Sequence, residues 1–254
     1  MDLIRNPIVF LHIPKTAGQT VHNALARAVG ASRVSPVRVH TQAAGGAGQF
    51  PAGHALYSGH LDWDGIDSLP IGRFTFTVLR APKERIASFY FYLRREAERL
   101  SPEELAAPEN IGRRRALHWS AEDYFLGGDE AWQGFLRDHY DNFYCSYFGT
   151  GRYRGAAEFR TLSDTEALSR AAQGLARIDG VFRTDALDRL ERVLDERYGF
   201  RLQLADRFDN AGDARTEPRW PRLLDRLGSD KARRTIEAFA ERDAVLFDRQ
   251  QALA

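Results

Sequence analysis

Cysteine is nearly missing from this 254-residue chain, with Cys145 standing alone. A single thiol makes no internal disulfide, which excludes a small secreted domain held by bridges and a zinc site built on cysteine pairs. Long apolar runs are missing too. The first, Ile8 to Leu11, is too short for a signal-peptide core or a membrane span, and no basic segment precedes it. The expectation is a cytoplasmic chain with no membrane span. An excess of one charge is also lacking: 36 Lys+Arg against 35 Asp+Glu leave a net charge of +1. That balance excludes a generally basic coat binder of nucleic acid. Lysine is scarce within it, since Lys15, Lys83 and Lys231 are the only lysines and the other 33 basic residues are arginine.

What is present reads as one domain over residues 1–254. A chain of this length with 43% hydrophobic residues buries a core without help from disulfides or metal. Ile8 to Ile13 has the composition of a strand buried on both faces, stopped by Pro14. Beyond Gly18, Val21, Leu25, Ala28 and Val29 mark one face of a helix that ends at Gly30. Residues 31–55 hold no period and read as mostly mobile loop. A short strand follows at Ala55–Ser58 and a clear one at Phe74–Leu79. Pro82 opens a helix whose buried face is Ile86, Phe89, Tyr90 and Leu93.

Residues 100–175 read as helical, with helices near 120–127, 130–147 and 165–176. A strand at Ile178–Arg183 precedes a helix carrying Leu187, Leu190, Leu194 and Tyr198, with Gly199 as its stop. Residues 206–222 read as loop, and a last helix is expected over 230–249. Strand, loop and helix in alternation predict an α/β fold.

Two segments carry chemistry. His12-Ile13-Pro14-Lys15-Thr16-Ala17-Gly18-Gln19-Thr20 lies where a strand hands over to a helix, and free N–H groups there favour anions. Lys15 adds a point charge, Thr16 and Thr20 add hydroxyl donors, and Gly18 would let the backbone approach a phosphate closely. The nucleotide-triphosphatase pattern G-x-x-x-x-G-K-[ST] is absent, because the one glycine follows the lysine. A loop that cradles phosphate without a metal is the expectation. The second segment runs Leu79-Arg80-Ala81-Pro82-Lys83-Glu84-Arg85-Ile86-Ala87-Ser88. Arg80 would sit at the C-terminal end of its strand, where open α/β sheets place ligands, and Ser88 two helical turns on would face the same crevice. Together they suit one further phosphate.

In order and spacing the two segments resemble the signatures of sulfotransferases that use 3′-phosphoadenosine 5′-phosphosulfate (PAPS). The forms H-I-P-K-T-x-G and L-R-x-P-x-x-R-x-x-S are similar to those of the heparan sulfate 2-O-sulfotransferase-like branch and its bacterial relatives. The resemblance implies a P-loop-like, three-layer α/β fold with a central, mostly parallel sheet and flanking helices. It implies PAPS as donor and adenosine 3′,5′-bisphosphate as product, with no metal. The cofactor contacts it implies are Lys15, Thr16, Ala17, Gly18, Gln19, Thr20, Arg80 and Ser88, with Arg215 and Thr216 in a late loop. Asn142 to Gly149 resembles the family's Asn-initiated helix, and Phe182 to Leu194 its late strand and helix. Gln19 stands where a small hydroxyl residue is usual, and Ala81 where Asp is common.

Transfer to an alcohol needs a base, and imidazole titrates near working pH. His60, in Tyr57-Ser58-Gly59-His60-Leu61-Asp62, is the candidate; the resemblance matches its Gly-His pair to the one that carries the catalytic histidine. Asp62 is a possible orienting partner, and His54 is the reserve base. His12 is expected to support the loop, and His22 to be exposed or structural. Lys15 would hold the leaving oxygen. The acceptor is expected to be a hydroxyl of a carbohydrate or glycolipid. A small alcohol or phenol, or a non-catalytic nucleotide-bisphosphate-binding role, stands as the alternative. The cluster Arg113-Arg114-Arg115 would suit a polyanionic acceptor, and Trp63, Trp119 and Trp132 would stack on sugar rings unless they fill the core. The oligomeric state is not legible.

Overall fold

The computed structural model describes residues 2–204 and 218–252. In chain order the first elements are β1 (Ile8–Leu11), α1 (Gly18–Val29), β2 (Leu56–Gly59), β3 (Phe74–Leu79) and α2 (Pro82–Ala97). Then come α3 (Pro102–Ala106), α4 (Ile111–His118), α5 (Ala121–Leu126), α6 (Glu130–His139), α7 (Phe143–Thr150) and α8 (Ala156–Phe159). The last are α9 (Asp164–Leu175), β4 (Gly180–Arg183), α10 (Leu187–Tyr198), α11 (Arg219–Leu224), α12 (Asp230–Ala238) and α13 (Glu241–Ala252). The described chain divides into two compact units, residues 2–80 with 144–204 and residues 81–143 with 218–252.

The first unit holds a sheet of order β2-β1-β3-β4 in which every pairing is parallel. Parallel strands need crossover connections and burial on both faces, and β1 shows both conditions met: Ile8, Val9, Phe10 and Leu11 are all fully buried. On one face, Ile8, Phe10, Leu56, Phe74, Phe76 and Val78 form a core with α1 and α10. Phe10 stacks on Phe76 there with ring centroids 4.9 Å apart. Against the segment after β2, α7 is tied down by its aromatic polar tips. The Tyr147 hydroxyl donates to the Leu61 carbonyl, and the Trp63 indole donates to the Tyr147 carbonyl. The helices flanking an all-parallel sheet make this the α/β fold expected.

Residues 31–55 depart from the mobile loop expected. Residues 33–40 run parallel along the outer edge of β2, with bridges Val34–Leu56 and Val39–His60. Ser35 N donates to Leu56 O and Ala55 N to Arg33 O. Pro36 and the glycines that follow hide this pairing from a period count. Beyond it, the Gln49 amide donates to the carbonyls of His40, Ala43 and Ala44, which ties the rest of the loop down.

In the second unit the face read from the α2 period is buried as expected, with Ile86, Phe89, Tyr90 and Leu93 packed on Tyr124, Phe125, Trp132 and Leu136. Two long helices expected there are each broken. The 130–147 stretch splits into α6 and α7, and 230–249 splits into α12 and α13. One residue accounts for both breaks. Asn142 adopts φ 46°, and its N–H goes to Phe239 O rather than back into its own helix. Its side-chain amide donates to Ala238 O, closing the end of α12. Its Oδ1 accepts from Arg242 N and Asp243 N, opening α13. Asn142 thus supplies caps to two helices from a distant part of the chain.

Residues 111–118 form a helix that the sequence reading did not resolve, and 219–222 belong to α11 rather than to a loop. The arginine cluster is absorbed into α4. Arg113 bonds to Asn110, Arg114 to the carbonyls of Leu105 and Ala106, and Arg115 lies between the rings of Trp119 and Trp132. These contacts hold the three side chains against their own unit. Trp63 and Trp132 are core residues, 1% and 2% exposed, which leaves no ring face for a sugar.

Asn142→Ala is expected to lower stability by about 2 kcal/mol, from the lost caps and the left-handed backbone. Asn142→Gly, which keeps the backbone freedom but not the amide, should lie between wild type and Asn142→Ala in urea unfolding.

Candidate functional site at the C-terminal edge of the sheet

The register places Leu11 beside both Gly59 and Thr77. The residues that follow each strand therefore emerge along one edge, where the His12 and His60 rings meet at 4.4 Å although far apart in sequence, and Arg80 follows β3 at the same edge. The chain leaves β1 toward β2 on one side and leaves β3 toward β4 on the other. That divergence between β1 and β3 is the switch point at which open α/β sheets bind ligands.

The turn after β1 is backbone under strain. Among the described residues, only Lys15 (φ 70°), Ala17 (φ 63°) and Asn142 are non-glycine residues with positive φ. Each such residue costs about 1–2 kcal/mol relative to ordinary geometry, a cost typical of functional turns. Ala17 is the N-cap of α1, no side chain caps that terminus, and no acidic residue occupies its first turn. The positive end of the helix is therefore kept for a ligand or for water. The Arg80 guanidinium donates to Lys15 O at 3.3 Å, which brings the two sequence segments together. Tyr144 holds Arg80 in place: its hydroxyl donates to Arg80 O at 2.8 Å and accepts from Arg80 N at 3.1 Å.

Several expected roles change on inspection. Thr16 is fully buried, and its hydroxyl donates to Ile13 O at 2.8 Å, so it braces the turn with its one proton. Gly18 leaves no free approach for a phosphate at its Cα, because a Cβ there would lie 1.6 Å from the His12 ring. The space that glycine opens is filled by imidazole. Gln19 is exposed and bonds Asn23 at 2.7 Å. Thr20 is buried and lines a groove of about 390 Å³ with Ala24, Arg27 and Phe200. Ser88 is a buried residue of α2 in the second unit. Arg215 and Thr216 lie outside the described residues.

His60 has a defined tautomer. Its Nδ1 lies 2.7 Å from His12 O. A carbonyl only accepts, so Nδ1 carries the proton and Nε2 keeps its lone pair. Burial pushes the His60 pKa down to about 4, helped by the Arg38 and His40 charges, while the bond to His12 O pulls the other way. The ring is tilted against His12 at 4.4 Å and Tyr153 at 5.4 Å, and His40 stacks on the far part of Tyr153 at 4.8 Å. Asp62 does not orient His60, since its Oδ1 accepts from Tyr153 N at 2.7 Å. His54 precedes β2 by two residues and so stands at the opposite edge of the parallel sheet from Lys15, which removes it as the reserve base.

The sequence reading missed Arg38 and undervalued His22. His22 is 7% exposed, with Nε2 accepting from Arg38 Nη1 at 2.7 Å and Nδ1 donating to Ser58 Oγ at 3.1 Å. Burial, and then the Arg38 charge, push its pKa down to about 4. His12 is held well below the usual range by burial first, and then by His60, Arg38, His22 and Lys15. The alternating valines of Pro36-Val37-Arg38-Val39-His40 were the available signal for an edge strand carrying Arg38 and His40 to this place.

No protein-family model matches the chain, and comparison with curated proteins finds no match.

Two outcomes follow from this geometry. Gly18→Ala is expected to destabilise the protein and to be partly rescued by His12→Ala, read as additive or non-additive shifts in a double-mutant cycle. The folded pKa values of His22 and His60 lie near 4, below the unfolded value of 6.5. The unfolded chain therefore binds more protons between those pH values. The stabilisation they confer is complete above about pH 6.5 and is lost as pH falls toward 4. Melting temperatures across that window should drop steeply in wild type and less steeply in His22→Gln.

Proposed function

We propose that the chain is a PAPS-dependent sulfotransferase that moves a sulfuryl group to a hydroxyl of a carbohydrate or glycolipid acceptor. The observation that carries this reading is the strained Lys15–Ala17 turn at the switch point, bonded to Arg80 and set beside a histidine whose Nε2 keeps its lone pair. Its support from sequence is the resemblance of both segments to the sulfotransferase signatures.

In this reading the donor's 5′-phosphosulfate lies at the start of α1, and Arg80 meets its 3′-phosphate. His60 Nε2 takes the proton from the acceptor hydroxyl as its oxygen forms a bond to sulfur. The bond between sulfur and the bridging phosphate oxygen breaks, leaving its electron pair on adenosine 3′,5′-bisphosphate. Lys15 stabilises that oxygen as charge develops on it. The neutral state of His60 is already the one a base requires at pH 7. The anionic donor, once bound, counteracts the burial that weakens its basicity. Lys15 suits the leaving oxygen better than arginine, since its compact ammonium group carries three rotatable donors.

Adenosine 3′,5′-bisphosphate is expected to raise the melting temperature more than ATP-Mg²⁺ or AMP do, because ligand binding to the native state stabilises it by mass action. Equal shifts for all three would sink the reading. Lys15→Ala and His60→Ala are each expected to slow sulfuryl transfer by about 100-fold, and His60→Ala should still bind the nucleotide. A wild type that binds the bisphosphate but transfers nothing to any hydroxyl would leave a nucleotide-binding protein in place of an enzyme.

A further inference from the structure

His60 is fixed through its backbone as well as its ring. Its N–H donates to Arg38 O at 2.9 Å, and its carbonyl accepts from His40 N at 2.8 Å. The side chain of Arg38 turns back on the same strand. Its Nε donates to Ser58 O, and its Nη1 donates to His22 Nε2 at 2.7 Å. His22 closes the ring of bonds by donating from Nδ1 to Ser58 Oγ. Between the two gripped residues stands Gly59, where a Cβ would lie 2.1 Å from Arg38 O. The edge segment thus sits directly on the glycine, with one residue bonded on each side of it.

We propose that Arg38 is the positioning residue for His60, gripping the chain on both sides of Gly59 and tying that grip through His22 to α1. The inference rests on the sulfotransferase reading for its catalytic consequence, while the grip itself is independent of it. A purely structural fastening would not need a cation. Arg38 is half-buried and makes no ion pair among the described residues, its guanidinium bonds going to a carbonyl and a neutral imidazole. A desolvated charge without a counter-ion is unfavourable unless it serves a task. The task here is to repel protons from the neighbouring imidazoles while holding the His22 ring and the chain beside Gly59 in place.

The charged and titratable groups around His60 agree with that division of labour. His12 faces it from the end of β1, Arg38 and His40 face it from the edge segment, and Tyr153 faces it from the chain beyond α7. The nearby carboxylate of Asp62 is occupied with Tyr153 N. Lys15 acts on His12. Arg38 is a fixed cation that acts on His12, His22 and His60 alike.

The test is an NMR titration of the histidine rings in the full chain, with the His60 signal assigned by its loss in His60→Ala. In Arg38→Met, His60 is expected to titrate about one pH unit higher than in wild type. The kcat for sulfuryl transfer should fall about tenfold or more, with KM for PAPS nearly unchanged. Arg38→Lys keeps the charge but not the fork, so it should restore the titration and leave kcat low. Unchanged titration and kcat in Arg38→Met would overturn the proposal, as would full recovery of kcat in Arg38→Lys. Should Arg38→Met fail to fold, Arg38→Gln is read by the same two measurements with the same expected and overturning results. If wild type transfers no sulfate, the enzyme reading falls, and the His60 titration alone decides the grip.

Discussion

The candidate site depends on the pairing of β1 with a parallel strand on each side. A strand hydrogen-bonded along both edges and buried on both faces has no freedom to slide, because a one-residue slip would turn Phe10 and Ile8 out of the core they share with α1 and α10. Holding Leu11 beside Gly59 and Thr77 then determines which residues meet beyond the strand ends. Lys15, His60 and Arg80 are assembled by register, and the loops that carry them need only the last few ångströms of adjustment. Those adjustments are local and visible. Thr16 and Tyr144 use hydroxyl groups to pin the main chain, and Arg80 uses a guanidinium to join one loop to the next.

The polar groups at this edge follow a common electrical logic. The imidazoles of His12, His22 and His60 are packed close together with the guanidinium of Arg38. Burial and the Arg38 charge keep the rings neutral, so positive charge is carried here by the guanidinium rather than by the imidazoles. An arrangement of this kind is costly without an anion and favourable with one. The left-handed backbone at Lys15 and Ala17 adds to the same cost. Both are forms of preorganisation, in which folding bears an expense before any ligand arrives.

The fold was legible where hydrophobic period and strand length carry the information. The buried face of α2, the span of β3 and the glycine stop after Tyr198 were all visible in advance. Most of what escaped rests on bonds to distant backbone. Asn142 breaks the expected 230–249 helix from some 100 residues away, and no window of sequence contains both partners. Residues 33–40 pair with β2 through main-chain groups, which leave no mark on residue type, and Pro36 points the reader toward loop. The roles of Thr16 and Gly18 show a subtler limit. Their positions were read correctly as part of a tight turn, but the atoms that occupy them come from Ile13 and His12 rather than from a ligand.

The imidazole of His12 fills the volume that a side chain at position 18 would need, so the two positions behave as one unit of inheritance. A lineage that replaced Gly18 first would pass through a badly packed intermediate. One that shortened His12 first would open a small void, and a later side chain at 18 could then settle into it. The order of changes matters more than the changes themselves. The void path also withdraws the ring tilted against His60. Loss of the glycine would in that case trace a lineage in which the edge of the sheet had already given up its present packing.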